Sequence, residues 1–473
     1  MPPPSLPGMD LGFETVGNAT VVVHDEGPVL ACDPWIRGSA YFGSWGLSHE
    51  IPPAQDAAIR AAGAVWFSHG HPDHLNPASL PEFRDTRILL PDHVGGRIAG
   101  DLRRDGYRVE VLPDAQWVPL SPRVRVLCLT DVLQDAVLLI DVGGTLVVNL
   151  NDAADHGWGG MVRRVIAQYP QSYLLRLMGF GDADMINFFD EQGARVPGIG
   201  QLRKEAGFEV GADCARMAET FGVTHYVPFS SFHRYQRADS VWANEFTTGV
   251  DDYPCGFTSE SVTLTPPFVS VDCSPRAKDG GVVTALAPAA APDLALPPSD
   301  FGDDWADVLR PGEAEAVDRY FRRVEHLARR IDHVDVVVGG REHRVTLGEG
   351  HGRSITFEVP RTSLLAAVEW EIFDDLLIGN FMRTTLHGKW PVSGLYPDFT
   401  PYVTKYADNG RAHTRAEVRE YFAEYRRRAG TLTWLRATLE QHAKDAVRAR
   451  LRPDAPAFAA ARRAYARLNG ASR

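Results

Sequence analysis

A chain of 473 residues, 44% hydrophobic and 23% charged, has the composition of a globular protein and the length for two or three cores. Its net charge of −12 argues against a general nucleic-acid surface, and no run is long and apolar enough to cross a bilayer. The five cysteines (Cys32, Cys128, Cys214, Cys255, Cys273) are scattered and odd in number, and Met1-Pro2-Pro3-Pro4-Ser5 has neither a basic nor an apolar leader region; both point to a reduced, cytoplasmic protein without a cysteine-ligated metal.

The first predicted element is a hairpin over residues 18–36, turning at Asp25-Glu26-Gly27-Pro28. Asp33 stands before Pro34 and reads either as a turn former or as an acceptor that orients a metal-bound histidine. Trp35, Arg37, Tyr41, Phe42 and Trp45 follow, as packing or as a pocket wall. The apolar run Gly63-Ala64-Val65-Trp66-Phe67 reads as a buried strand, so Ser68-His69-Gly70-His71-Pro72-Asp73-His74 sits on the loop at its C-terminal end. Three imidazoles and a carboxylate this close suit a borderline or hard divalent metal. His69 and His71, on alternate residues, point to one metal. Asp73 and His74, past the turn, point to a second.

A short helix at 78–83, a strand at 87–90 and a helix at 94–105 continue an alternating α/β pattern. Strands are expected at 109–112 and 124–129, then a hairpin of 136–141 and 145–149 turning at Gly143-Gly144. That hairpin delivers Asp152 to a strand end, as the earlier strand delivers His69, which makes Asp152 the candidate bridging carboxylate. A strand over 172–178 leads to Asp182 and Asp184, read as exposed acids of a Gly-rich turn, and 201–221 is helical. The strand 224–229 ends in Ser230-Ser231-Phe232-His233-Arg234-Tyr235. His233, just past the strand end, is the candidate last ligand, while His225 inside the strand reads as structural.

Residues 275–300, rich in Pro, Ala and Gly, read as a semi-rigid linker between a catalytic domain, 1–274, and an accessory domain, 301–473. In the latter, Val317, Tyr320, Phe321, Val324, Leu327 and Ile331 mark an amphipathic helix. Strands at 334–338, 343–347 and 354–359 follow, then a helix over 363–377 and charged helices near 414–427, 432–448 and 457–468. Arg426-Arg427-Arg428 reads as a solvated helix face. This α+β and helical half shows no obvious chemistry; covering the cleft, binding a partner and forming a homo-oligomer are its candidate roles.

The stretch His69-Gly70-His71-Pro72-Asp73-His74 is the His-x-His-x-Asp-His signature of the metallo-β-lactamase fold. The resemblance implies an α/β protein, an αβ/βα sandwich, with the C-terminal α+β/helical domain added. Ala31-Cys32-Asp33-Pro34-Trp35-Ile36-Arg37-Gly38 with Trp45, Phe67–Leu75, Asp135–Asp152 and Val227-Pro228-Phe229-Ser230 further resemble the CMP-N-acetylneuraminate hydroxylase family over about residues 15–245. Phe373-Asp374-Asp375-Leu376-Leu377-Ile378-Gly379 resembles its tail. The resemblance implies a third ligand at the first metal; no histidine lies between His93 and His156, and Asp131, at the end of the strand 124–129, is either that ligand or a plain strand-end residue. Site one is then His69, His71 and Asp131, site two Asp73, His74 and His233, with Asp152 between them. Two imidazoles and a carboxylate per metal are the set of non-haem iron(II) that activates dioxygen.

The expectation is therefore an O2-dependent diiron oxygenase, a hydroxylase or N-oxygenase acting on a small polar metabolite; zinc and manganese are the other candidate metals. The family's upstream Rieske domain has no counterpart, so electrons come from a separate protein. The family's later histidine falls a few residues beyond His233, and its sugar-nucleotide substrate does not carry over. Trp35, Arg37, Arg234 and Tyr235 flank the inferred site as candidate substrate contacts. The alternative is a metal-dependent hydrolase of a lactone, amide or phosphoester, working through a bridging hydroxide.

Overall fold

In a strand, successive side chains face opposite sides, so a strand buried on both faces reads as an unbroken apolar run. Ala136–Val142 is such a strand: Leu138, Ile140 and Val142 enter one core, Val137 and Leu139 another. The computed structural model describes residues 9–178, 187–230, 232–275, 282–452, 455–458 and 460–461, and this division of side chains builds its layers.

One sheet has eight strands, in the order Val282–Ala285, Val269–Asp272, Leu11–Val16, Thr20–Asp25, Pro28–Cys32, Ala64–Trp66, Arg87–Pro91 and Arg108–Leu112. The other has seven, in the order Thr263–Leu264, His225–Pro228, Ser172–Arg176, Thr145–Asn151, Ala136–Val142, Val124–Thr130 and Trp117–Pro119. Phe13, Trp66 and Leu89 of the first meet Ile140, Tyr173 and Val227 of the second in a shared core. Helices Pro53–Ala61 and Arg97–Arg104 cover the outer face of the first sheet through Ile59 and Leu102. Gly159–Ile166 and Val210–Phe221 cover the second through Val162, Ile166 and Cys214. This is the αβ/βα sandwich that the signature implies.

The strands Pro28–Cys32, Ala64–Trp66 and Arg87–Pro91 run parallel. Their C-terminal ends are therefore side by side, where the loops of α/β sheets gather ligands. The Asp33 N–H donates to the Trp66 carbonyl at 2.8 Å, fixing the loop after Cys32 against the loop that carries the histidines.

Part of the expected semi-rigid linker, within 282–300, is paired with the rest of the chain. Val282–Ala285 pairs with Val269–Asp272 as an edge strand, and isolated bridges join His49 to Ala290 and Arg237 to Leu296. A proline removes only its own N–H, so intervening Val, Ala and Leu backbone groups still pair along an edge; composition alone does not register this.

Beyond it lies a five-stranded sheet ordered Phe188–Phe189, Arg383–Gly388, Arg353–Glu358, His333–Val338 and Arg341–Thr346. Its edge strand, Phe188–Phe189, comes from the first half of the chain, so the boundary at 274 does not separate two independent sheets. Pro311–Arg322, Arg361–Glu369 and Phe373–Ile378 fill the core beneath it. The anticipated helices near 414–427 and 432–448 are Arg415–Ala429 and Thr431–Arg448. The expected helix at 457–468 falls largely outside the described residues, as do Asp182 and Asp184. All five cysteines are free, and among the described residues no helix is long and apolar enough to cross a membrane.

His326 lies flat on Tyr402, with ring centroids 3.3 Å apart. Burial, then the neighbouring Arg330, pushes its pKa down to about 4. A depressed histidine contributes its full stability above the unfolded value near 6.5, and that contribution is lost as pH falls toward 4. His326→Phe keeps the stacking and removes the titration, so its melting temperature should fall less than the wild type's between about pH 7 and pH 4.5. Equal losses in scanning calorimetry would reject this.

Candidate metal centre

The sharp loop after Ala64–Trp66 is held by its own backbone, with the His74 and Leu75 N–H groups donating to the His71 carbonyl at 3.0 and 2.8 Å. This turn brings His69 Nε2 to 2.9 Å from His71 Nδ1. Asp152, at the end of Thr145–Asn151, places Oδ2 3.9 Å from His69 Nε2 and 3.3 Å from His74 Nε2. Donor atoms of His69, His71 and Asp152 all lie within 4.8 Å of one another, a spacing that one cation spans.

The second position has its own sign. His74 is fully buried, and its Nε2 has no hydrogen-bond partner of good geometry, yet it faces Asp73 Oδ2 at 3.4 Å and Asp152 Oδ2 at 3.3 Å. An orphaned ring nitrogen between carboxylates is a costly arrangement for a dry core and an ordinary one for a metal ligand. The donor set of His69, His71 and Asp152 thus fits one divalent cation, and His74 Nε2 adds a further donor beside it.

Each donor is held from behind. Asp33 Oδ2 lies 3.1 Å from His74 Nδ1 while its Oδ1 accepts the Ser68 N–H at 2.7 Å, so Asp33 orients that imidazole. Asp73 accepts from the Tyr41 hydroxyl at 2.5 Å and from Asn18 Nδ2 at 3.0 Å. The Ser230 hydroxyl donates to Asp152 Oδ1 at 3.1 Å. Tyr41 stood among the aromatics after Asp33, but nothing local in the sequence distinguished it from packing.

Electrostatics follow the same plan. Burial alone would raise the Asp73 carboxyl, but the charge of His74 outweighs it and holds the group well below its ordinary range. Burial alone would lower His74, but Asp73, Asp152 and Asp33 hold it well above. His69 is pushed well down, first by burial and then by the cationic neighbours His74, His71 and Lys405. Buried carboxylates gathered this closely are expensive unless cations balance them.

Asp131, the expected third ligand of the first metal, bonds to backbone N–H groups. Asp131 Oδ1 accepts the N–H groups of Leu133 and Asp135 at 2.7 and 3.2 Å, and Oδ2 accepts that of Ala154 at 3.1 Å. Its side chain closes the loop between two strands, a common use of Asp at a turn. Four residues on, Asp135 Oδ1 stands 3.9 Å from His69 Nδ1, and its charge environment includes His71, Asp152 and His74. Asp135 is thus the loop carboxylate nearer the histidines, on the Nδ1 side of His69.

His233 does not join the His69, His71 and Asp152 group. It lies in the short strand His233–Tyr235, paired with Trp45–Leu47, and its ring stacks on Trp45 at 3.3 Å. Position just past a strand end had suggested a ligand; the short hairpin-like pairing instead turns the ring into an aromatic layer. The candidate substrate contacts are also placed elsewhere. Trp35 and Tyr235 are fully buried in one aromatic cluster, with the Tyr235 hydroxyl accepting from Asn380 Nδ2 at 2.8 Å. Arg37 is exposed and pairs with Glu82 at 2.8 Å, and Arg234 pairs with Asp293 and donates to the Ala291 carbonyl at 3.1 Å.

The second half of the chain reaches the same cluster. Ser44 Oγ donates to the Gly379 carbonyl at 2.5 Å, and Arg97 Nη1 donates to the Glu371 carbonyl at 2.8 Å and to Asn409 Oδ1 at 3.0 Å. Behind this seam Asp374, Asp375 and Lys405 are all buried. Burial alone would raise Asp374, but Lys405 holds it far below its ordinary range; Asp375, buried beside Asp374 and Asp73, is pushed well up.

No family model matches the chain. It is 25% identical over 145 residues to the cytidine monophosphate-N-acetylneuraminic acid hydroxylase of Sus scrofa, covering 29% of this chain and 33% of that one. To the Danio rerio hydroxylase it is 28% identical over 129 residues, covering 25% of this chain and 22% of that one. The chain thus matches a third or less of the length of these curated relatives. Among solved structures, CmlA, a diiron β-hydroxylase from Streptomyces venezuelae, is similar at TM-score 0.35 and 15% identity, covering 56% of this chain and 55% of that one. Igni18, a metallo hydrolase of Ignicoccus hospitalis, is similar at TM-score 0.34 and 13% identity, covering 55% and 97%. The relatives with named activities are hydroxylases and hydrolases. With its two facing sheets and its His/Asp cluster at the strand ends, this chain has the αβ/βα sandwich that its sequence signature implies, carrying a candidate metal site.

Proposed function

We propose that this enzyme is a dinuclear non-haem iron oxygenase that hydroxylates or N-oxygenates a small polar metabolite, with electrons from a separate donor protein. The observation that carries this reading is the carboxylate content of the cluster. The imidazoles grouped there among the described residues are His69, His71 and His74, and the other donors facing them are Asp73, Asp152 and Asp135. His93, the next imidazole along the chain, is turned to the Ser68 carbonyl at 3.2 Å. Three imidazoles and three carboxylates spread over the cluster make a carboxylate-rich set, which suits iron that cycles through higher oxidation states, whereas three imidazoles on one metal suit zinc.

Bound iron would supply the redox step, the reduction of dioxygen with electrons from the donor. The chain's own residues position and enclose. Asp33 aims His74, Tyr41 and Asn18 hold Asp73, and Ser230 holds Asp152. His69, Asp73 and His74 are almost fully buried while Asp152 keeps part of its side chain exposed, so substrate approaches from the Asp152 side. Shielding of the other face keeps bulk water from the reacting atoms.

The test is metal analysis of the purified protein combined with oxygen uptake on adding a reductant. Iron and reductant-dependent uptake are expected. Retained zinc with no uptake would overturn the reading in favour of a hydrolase. Asp135→His should shift retention toward zinc and suppress uptake; an unchanged metal preference would show that Asp135 is not a ligand.

A further inference from the structure

We propose that Asp374, from the C-terminal half, is a positioning residue of the metal centre: it holds the His71 ring so that Nδ1 faces the metal, with Lys405 balancing its charge. The inference rests on the metal-centre reading above and goes beyond it by making the C-terminal half part of that centre.

The two ring nitrogens of His71 face different neighbours. Nδ1 lies 2.9 Å from His69 Nε2, inside the donor cluster. Nε2 lies 2.9 Å from Asp374 Oδ2, a residue 303 positions away in sequence. A carboxylate on one nitrogen accepts its proton, which leaves the lone pair on the other for metal. Asp374 therefore selects the tautomer as well as the ring orientation. Lys405 Nζ lies 3.1 Å from Asp374 Oδ2 and 3.2 Å from His71 Nε2. With the proton of His71 on Nε2, Lys405 and His71 both donate to Asp374 Oδ2. The lysine keeps this buried carboxylate compensated when no metal is bound.

The backbone has been shaped to deliver the pair. Phe373–Ile378 is a short helix whose first turn holds Asp374 and Asp375. Lys405 lies in the middle of a π-helix, Pro401–Asn409, where the Gly410 N–H closes onto the Lys405 carbonyl, five residues back, at 2.8 Å. Such wide turns are rare and gather at functional sites. The same segment carries Asn409, which receives Arg97 from the helix beside the metal loop.

Metal affinity, measured by competition with a chromophoric chelator, tests this without relying on turnover. Asp374→Ala should weaken binding about 10- to 100-fold, the usual cost of losing the outer partner of a metal-bound histidine. Asp374→Asn retains an acceptor for Nε2–H and should recover part of the loss. Lys405→Met removes a cation from the vicinity of the metal and should bind metal at least as tightly as the wild type, though the apoprotein melts lower. A merely structural seam predicts instead that Asp374→Ala and Lys405→Met weaken metal binding alike. That outcome, or a wild-type affinity in Asp374→Ala, overturns the proposal. A wild-type chain that takes up no metal overturns the metal-centre reading and this inference with it, so the two failures are distinguishable.

Discussion

Replacing Asp152 by Ala removes metal from both positions and abolishes oxygen uptake. Its Oδ2 is the atom that approaches both halves of the cluster, 3.9 Å from His69 Nε2 and 3.3 Å from His74 Nε2. The loss should exceed the about 10- to 100-fold that removal of an outer partner costs. Folding should survive. The Asp152 side chain is part-exposed, and its side-chain partner is the Ser230 hydroxyl at 3.1 Å; its removal also relieves repulsion from Asp73 and Asp135. Elemental analysis alongside a thermal melt checks both halves of the statement. Full metal content in a well-folded Asp152→Ala protein would show that the cluster does not share this carboxylate.

The second large effect concerns stability. Arg237 is completely buried. Its Nε donates to Asp239 Oδ1 at 2.8 Å, and its Nη1 donates to Asp303 Oδ2 at 2.6 Å and to the Phe42 carbonyl at 3.0 Å. The guanidinium also lies 3.9 Å from the centre of the Phe381 ring. Asp303 in turn accepts the Ser363 N–H at 3.0 Å, so this one cation ties the loop beside Tyr41 to the helix Arg361–Glu369 beneath the five-stranded sheet. Arg237→Met leaves Asp303 uncompensated in the interior and should cost on the order of 3–5 kcal/mol in urea unfolding. Lys does not replace the planar fork, and Arg237→Lys should recover only part of the loss. The double change Arg237→Met with Asp303→Leu should be less destabilised than Arg237→Met alone, since it removes the stranded charge. A loss below about 1 kcal/mol in Arg237→Met would mean that the pair is dispensable. Because Phe42 neighbours Tyr41, which holds Asp73, the same variant should also weaken metal binding at the second position.

The loop 131–135 shows where sequence reasoning stopped. Both ends of Asp131-Val132-Leu133-Gln134-Asp135 are aspartates, and position relative to the preceding strand pointed to the first. Asp131 instead closes the turn through three backbone N–H groups, which leaves Asp135 to face the histidines. Turn geometry decides between two identical side chains four residues apart, and no residue-type pattern carries that information. His233 lies apart from the His69, His71 and Asp152 group for a related reason. Its distance past a strand end matched a ligand position, but pairing of His233–Tyr235 with Trp45–Leu47 rotates the ring onto Trp45. Trp35 and Tyr235 flank the site along the chain, yet face an aromatic core in space.

His69, His71, Asp73 and His74 were legible because the chemistry and the scaffold sit in one stretch: an apolar strand, a turn and four donors in six residues, all set by local backbone. Asp152 was legible by the same rule, as the acid at the end of a hairpin. The sandwich was legible because runs buried on both faces are continuous and apolar. The sequence by itself therefore determined the fold and the nearness of His69, His71 and Asp152 at neighbouring strand ends. Tertiary structure decided which of two loop aspartates faces them, and that Asp374 and Lys405 stand behind His71. These last contacts span 303 and 334 residues. They exist because the second core packs over the strand ends, and packing of distant surfaces leaves no periodicity or spacing in the chain that makes it.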